Sequence, residues 1–279
     1  MIKSCRVIKM GKFSGFLLAS DYDGTLAASD GSIPDEVKRG IKYFTDEGGR
    51  FTVCTGRSKQ GFHAFDPFLM NAPVIVANGG MLYDYTSDRV VCTCGISKEH
   101  IPVLKHLAEK FPFICFEMYS DKNNTFAFSL CEESRQHFER QFISYKTVNA
   151  FEEVEFPIVK LMLFVGRQNT AEVQSFLSKN VLGDMKFIES DGDFIELLHK
   201  DTDKGKALHM LADKLGISHS RAFAVGDGSN DVDMLKAAEK GFVPANGDVF
   251  AKRAGDIIVK SNDDGAVADV IKKLEQMYC

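Results

Sequence analysis

Phe16-Leu17-Leu18-Ala19-Ser20-Asp21-Tyr22-Asp23-Gly24-Thr25 is the stretch on which the reading of this chain turns. A short apolar run that ends in a polar, glycine-bearing segment has the form of a buried strand whose carboxyl end opens into a loop. At such an end two carboxylates at i and i+2, Asp21 and Asp23, point into one crevice. Like charges that close repel each other, so a cation is their natural companion. A hard divalent ion with oxygen ligands fits, and Mg²⁺ is the usual choice where a phosphate completes the shell. Gly24 lets the chain turn with no side chain in the way. The purely structural alternative makes Asp23-Gly24 a turn and Asp21 a helix cap.

Three more runs repeat the form. Phe51-Thr52-Val53-Cys54 leads into Thr55-Gly56-Arg57, Val74-Ile75-Val76-Ala77 into Asn78-Gly79-Gly80, and Ala222-Phe223-Ala224-Val225 into Gly226-Asp227-Gly228-Ser229-Asn230-Asp231. Separated by helical patterns, they predict a parallel sheet with its chemistry at the strand C-termini. One crossover helix is clear: Ala207, Leu208, Leu211, Ala212 and Leu215 share a face, and Gly216 follows as a C-cap.

From the last loop Asp227 is the third candidate metal ligand and Asn230 an amide donor to a bound oxygen. Asp231 either ligates the ion directly, supports the ligands from behind, or caps the following helix. Thr55-Gly56-Arg57 is expected to open a helix, whose N-terminal N–H groups suit an anion, with the Thr55 hydroxyl as a further donor; its bland reading is an ordinary N-cap. Lys204 starts the crossover helix, where the macrodipole disfavours a cation, so either a buried anion accompanies it or it is solvated and screened by Asp201 and Asp203.

Between about Thr86 and His199 the order changes. A helix through Leu104, Leu107, Ala108 and Phe111 precedes two strands, Phe113–Met118 and Thr125–Leu130, then helix, strand (Ile158–Val165), helix, and a hairpin. The hairpin pairs Met185–Glu189 with Phe194–Leu198 across Ser190-Asp191-Gly192-Asp193. The middle third therefore reads as an antiparallel α/β domain inserted into a parallel one. The expected division is 1–85 and 200–279 for the core and 86–199 for the insert.

The 279 residues carry 34 basic and 39 acidic side chains, a net charge of −5, with 44% apolar residues, enough for a large core. Basic residues are scattered, which disfavours nucleic acid and anionic membranes as partners. No apolar stretch is long enough to span a bilayer, and Phe16–Ala19 is too short for a signal-peptide core, so the expected location is the cytoplasm. Seven cysteines, from Cys5 to Cys279 and without C-x-x-C spacing, indicate neither a disulfide framework nor a structural zinc site. Cys92 and Cys94 read as two residues on one strand face, with a metal or redox role as the alternative.

With these residues in hand, the chain resembles the haloacid dehalogenase superfamily, and within it the Cof-type sugar-phosphate phosphatases. The resemblance rests on Asp21 to Thr25 (D-x-D-G-T), on Thr55 with Gly56 and Arg57, on Lys204-Gly205, and on Gly226 to Asp231 (G-D-x-x-N-D), in that order. It implies a Rossmann-like parallel-sheet α/β core with an inserted α/β cap that carries an antiparallel sheet and sets specificity. It also implies a Mg²⁺-dependent phosphomonoester hydrolase acting on a small phosphorylated metabolite, a sugar phosphate. In that scheme Asp21 attacks phosphorus to give an aspartyl-phosphate, and Asp23 protonates the leaving oxygen and then deprotonates water, which calls for a raised pKa. Asp21, Asp227 and the Asp23 carbonyl would hold the metal. Thr55, Lys204 and Asn230, with the Gly56-Arg57 turn, would bind phosphoryl oxygens, and Asn78-Gly79-Gly80 would lie beside the substrate entrance. Two alternatives remain on the same scaffold: a phosphomutase or phosphotransferase, and a non-catalytic sensor of a phosphorylated metabolite. Ala245-Asn246-Gly247-Asp248 departs from the family's usual Asn-Ala there.

Overall fold

Leu17, Leu18, Ala19 and Ser20 are all fully buried, as a strand covered on both faces requires. In the computed structural model, which describes residues 11–62, 69–180, 183–190 and 192–279, these four residues form the first strand. Cys5 and Asp191 lie outside the described residues. The strands are β1 (Leu17–Ser20), β2 (Arg50–Val53), β3 (Val74–Val76), β4 (Met81–Asp84), β5 (Arg89–Thr93), β6 (Cys115–Ser120) and β7 (Thr125–Phe128). They continue with β8 (Lys146–Thr147), β9 (Ile158–Phe164), β10 (Met185–Ser190), β11 (Phe194–His199), β12 (Ala222–Val225), β13 (Lys240–Pro244) and β14 (Ile257–Val259). The helices are α1 (Asp35–Asp46), α2 (Ile101–Lys110), α3 (Glu132–Arg140), α4 (Thr170–Asn180), α5 (Lys204–Leu215), α6 (Val232–Ala237), α7 (Val249–Ala254) and α8 (Ala266–Tyr278).

The described residues fall into two compact units, one of 11–54, 69–74 and 204–279, the other of 55–62 and 75–203. The first is built on a parallel sheet of order β14-β13-β12-β1-β2. Ser20 is in register with Val225 on one side and Val53 on the other, so the loops after β1, β12 and β2 leave the same edge of the sheet. From β1 the chain proceeds to β2 on one side and later returns to β12 on the other. This reversal of strand order opens a crevice between the ends of β1 and β12. Helices cover the sheet at close range: a Cβ at Gly205 of α5 would sit 2.4 Å from the Asp233 carbonyl oxygen of α6, so only glycine permits that approach.

The second unit holds a six-stranded sheet, β10-β11-β9-β6-β7-β8, antiparallel apart from the β7–β8 edge. Alternation separates its faces. Phe116, Met118, Leu161, Leu163, Ile195 and Leu197 join Leu104 and Leu107 of α2 and Val173 and Leu177 of α4 in one apolar core. Their strand neighbours Glu117, Tyr119, Lys160 and Glu196 are just as buried but polar.

Helix, strand pair, helix, strand, helix and hairpin occur in the order the hydrophobic pattern predicts. One expectation needs correction: Val74–Val76 is not part of the parallel sheet but belongs to a three-stranded sheet, β3-β4-β5, which from Ile75 onward lies in the second unit. Its apolar run is the same as those of β1 and β12, and periodicity cannot tell which sheet a buried strand joins.

Candidate active site

The first unit gathers Asp21, Lys204, Asp227 and Asp231 at the crevice. Asp21 immediately follows β1, and its N–H donates to the Val225 carbonyl oxygen of β12 at 2.8 Å. Lys204 opens α5, and its Nζ lies 2.6 Å from Asp21 Oδ1 and 2.6 Å from Asp231 Oδ1. The side chain is fully buried, so the anionic partner that its unfavourable helix position called for is present twice over.

The other oxygen of Asp231, Oδ2, accepts the N–H groups of Asp227 and Gly228, each at 3.0 Å. This carboxylate therefore shapes the Gly226–Asp231 loop and holds Lys204 at the same time. Asp227 Oδ1 accepts the Thr25 hydroxyl at 2.7 Å. Gly24, at φ +76°, passes so close that a Cβ would lie 2.5 Å from Asp227 Oδ2. Only glycine fits both the left-handed turn and the approaching carboxylate. Asp23 lies on the same turn and is exposed, as is Asn230 on the turn before α6.

Electrostatically the cluster is lopsided. Oxygens of Asp21, Asp227 and Asp231 lie within 4.8 Å of one another, against a single ammonium group. Burial pushes the Asp21 carboxyl well above the usual range, Asp231 adds to the shift, and Lys204 opposes it. Burial also raises Asp227, against the Thr25 hydroxyl. For Lys204 burial works against the charged form, but Asp21 and Asp231 outweigh it and its pKa is raised. Closely spaced, hard oxygen donors with surplus negative charge fit a divalent cation of the Mg²⁺ kind.

Thr55, Gly56, Arg57, Asn78 and Gly79 belong to the second unit. Here the sequence expectation fails in one respect: residues 55–62 form turns rather than the start of a helix. Their carbonyls are taken by other partners. Thr55 and Arg57 accept from the N–H groups of Asn78 (3.1 Å) and Ala77 (2.8 Å), and Gly56 accepts from Lys160 Nζ (3.0 Å). A helix would need those carbonyls for its own ladder. The Thr55 hydroxyl caps the turn by accepting the Arg57 N–H at 3.1 Å.

Thr25, Asn246, Lys160 and Glu196 were given no role from the sequence. Asn246 Nδ2 donates to the Gly24 carbonyl oxygen at 2.8 Å and its Oδ1 accepts the Asn262 N–H at 2.9 Å, so the atypical Ala245-Asn246-Gly247 segment buttresses the first loop. The only sequence signal was that departure from pattern. Cys94 follows β5 with its Sγ 3.2 Å from His199 Nδ1, and Cys92 lies within β5.

The profile of the haloacid dehalogenase-like hydrolases matches residues 18–271, and the chain belongs to that family. It is 29% identical over 285 residues to the 5-amino-6-(5-phospho-D-ribitylamino)uracil phosphatase YwtE of Bacillus subtilis, covering 92% of this chain and 97% of the relative. A haloacid dehalogenase-like hydrolase from Bacteroides thetaiotaomicron superposes with a TM-score of 0.83 at 23% identity, covering 93% of this chain and 99% of the other. The subclass IIB sugar phosphatase BT4131 superposes at 0.79 with 20% identity, covering 93% and 98%. The protein is thus an enzyme of the phosphatase type with the mixed α/β fold of its family. No helix among the described residues is long and apolar enough to cross a membrane.

Proposed function

We propose that the chain is a Mg²⁺-dependent phosphomonoester hydrolase that cleaves a small phosphorylated metabolite of the sugar-phosphate class through an aspartyl-phosphate. The observation that carries this reading is the buried Asp21–Lys204–Asp231 chain beside Asp227. Lys204 fixes Asp21 Oδ1 and so the direction in which the second oxygen is presented for in-line attack. That oxygen forms the bond to phosphorus as the bond to the leaving oxygen breaks, and Asp23 supplies the proton that the leaving oxygen takes up. Asp23 then removes a proton from the water that hydrolyses the aspartyl ester, releasing phosphate. Exposure of Asp23 suits a group that exchanges protons with leaving group and solvent.

Asp21, Asp227 and the Asp23 carbonyl would hold Mg²⁺, which screens the repulsion between carboxylate and phosphate. Asp231, whose oxygens are engaged with Lys204 and two backbone N–H groups, supports this arrangement. Lys204, Asn230, Thr55 and the Gly56-Arg57 turn contribute to the phosphoryl site, with Asn78 and Gly79 on the substrate side. Residues 1–85 and 200–279 act as the catalytic core and 86–199 as the specificity-setting cap, working in the cytoplasm without nucleic acid or membrane. The YwtE relative is, by its name, a phosphatase of a phosphorylated ribityl compound, and a polyol or sugar phosphate is therefore the first substrate to try.

The test is phosphate release from a panel of sugar and polyol phosphates, with Mg²⁺ and with chelator. Chelator-sensitive release that disappears in Asp21→Asn is expected. Activity surviving in Asp21→Asn would overturn the mechanism, and phosphate recovered on a second hydroxyl instead of as free phosphate would make the protein a phosphotransferase.

A further inference from the structure

A second lysine is almost as buried as Lys204 and has no place in the mechanism above. Lys160, on β9, is 6% exposed; its Nζ lies 2.9 Å from Glu196 Oε1 of β11 and donates to the Gly56 carbonyl oxygen at 3.0 Å. Glu196 Oε2 accepts Asn78 Nδ2 at 2.9 Å. Asn78 Oδ1 has no hydrogen-bond partner and faces Gly56, where a Cβ would lie 2.9 Å from it. Gly56, Lys160, Glu196 and Asn78 thus close a ring inside the second unit.

Desolvating an ion pair commonly cancels its Coulombic gain, so a buried lysine–glutamate pair is a poor source of stability and calls for another reason. The backbone supplies one. Ala77 and Asn78 both have φ near +53° (53° and 54°), a left-handed conformation that costs a non-glycine residue of order 1 kcal/mol and persists only where its surroundings enforce it. The enforced result is that the carbonyls of Thr55, Gly56 and Arg57 are all anchored within the unit. In a trans peptide the N–H points opposite to the C=O, so anchoring the three carbonyls turns the N–H groups of Gly56 and Ser58 the other way, while the Arg57 N–H between them is taken by the Thr55 hydroxyl at 3.1 Å. Amides turned in this way suit an anion, whereas an unanchored Gly56 carbonyl swinging among them would repel a phosphate.

We propose that Lys160 is a positioning residue: it holds the Gly56 carbonyl away from the phosphoryl-binding side of the Thr55-Gly56-Arg57 turn, with Glu196 and Asn78 completing the ring. This rests on the reading of that turn as a phosphoryl ligand.

The test uses the full chain with Mg²⁺, p-nitrophenyl phosphate as substrate and inorganic phosphate as competitive inhibitor. The double variant Lys160→Met, Glu196→Gln keeps volume nearly constant and leaves no unpaired buried charge. Its inhibition constant for phosphate and its KM are expected to rise together by about tenfold, the worth of one charge-assisted hydrogen bond. The Mg²⁺ concentration for half-maximal activity should stay within about twofold, since the carboxylate cluster is untouched. An unchanged phosphate constant overturns the proposal, and so does a Mg²⁺ requirement that rises in step, because that marks general damage. If the double variant does not melt cooperatively, Lys160→Leu, Glu196→Gln, which also removes the donor at 160, carries the same two readouts. Should the wild type hydrolyse no ester, the phosphatase reading fails by itself, and calorimetric titration of inorganic phosphate into wild type and variant still decides the role of Lys160.

Discussion

Two buried lysines set the two units apart. Lys204 stands between Asp21 and Asp231 with Asp227 beside them, three carboxylates to one cation. Lys160 faces one carboxylate, Glu196, and a carbonyl, which is a balanced set. A surplus of negative charge in a buried crevice is costly unless a further cation arrives, so the first cluster is arranged for a ligand. A balanced pair calls for no further cation. The same residue type therefore stands in a surplus of negative charge in one unit and in a balanced pair in the other, and the count of charges around it separates the two.

The largest test of that contrast is Asp21→Asn, which removes the proposed nucleophile and should lower kcat by roughly 10³-fold or more, measured as phosphate release. Next is stability. Lys204→Met and Lys160→Met each strand buried carboxylates and should cost about 3–5 kcal/mol in urea denaturation. Measured against the unmodified protein at the same Mg²⁺ concentration, the Lys204 deficit should shrink with Mg²⁺ and the Lys160 deficit should not; equal shrinkage in both would erase the distinction.

For the unmodified protein, Mg²⁺ at about 100 times its dissociation constant should add about 2.7 kcal/mol. That corresponds to a rise in Tm of about 5–10 °C, to be followed by calorimetry and lost in Asp227→Asn. Gly24→Ala sharpens the picture locally. Its Cβ would press on Asp227 Oδ2, so a loss of about 1–3 kcal/mol and a weaker response to Mg²⁺ are expected.

The smallest effect concerns a shifted group of the second unit that takes no part in either cluster. Hydrogen bonding from the Cys115 thiol lowers the Cys131 thiol to about 6 despite partial burial. A lowered pKa leaves the thiolate populated above that pH, so iodoacetamide labelling of Cys131 should climb through about pH 6 and level off before neutrality. A midpoint near the ordinary cysteine value would contradict the contact, and phosphatase activity should not follow the labelling curve.

Sequence alone placed Asp21, Asp23, Asp227 and Asp231 at the ends of two strands, because a buried apolar run breaking into Asp and Gly is a local signal. For Lys204 it left two readings open, a buried anion or a solvated side chain screened by Asp201 and Asp203, since a lysine at a helix N-terminus opposes the dipole. What it could not supply were relations between distant segments. That Thr25 holds Asp227, that Asn246 braces Gly24 and that Lys160 reaches Gly56 all depend on partners far apart along the chain, and that β3 leaves the parallel sheet depends on which strand edge it meets. The helix expected after Thr55 failed for the same reason, as local propensity was overridden by donors arriving from Ala77, Asn78 and Lys160. Charge and periodicity are written along the chain and pointed to the carboxylates of the candidate site. Which carbonyl each donor meets is settled only when sheets assemble, because hydrogen bonding and burial act between surfaces that the polymer brings together on folding.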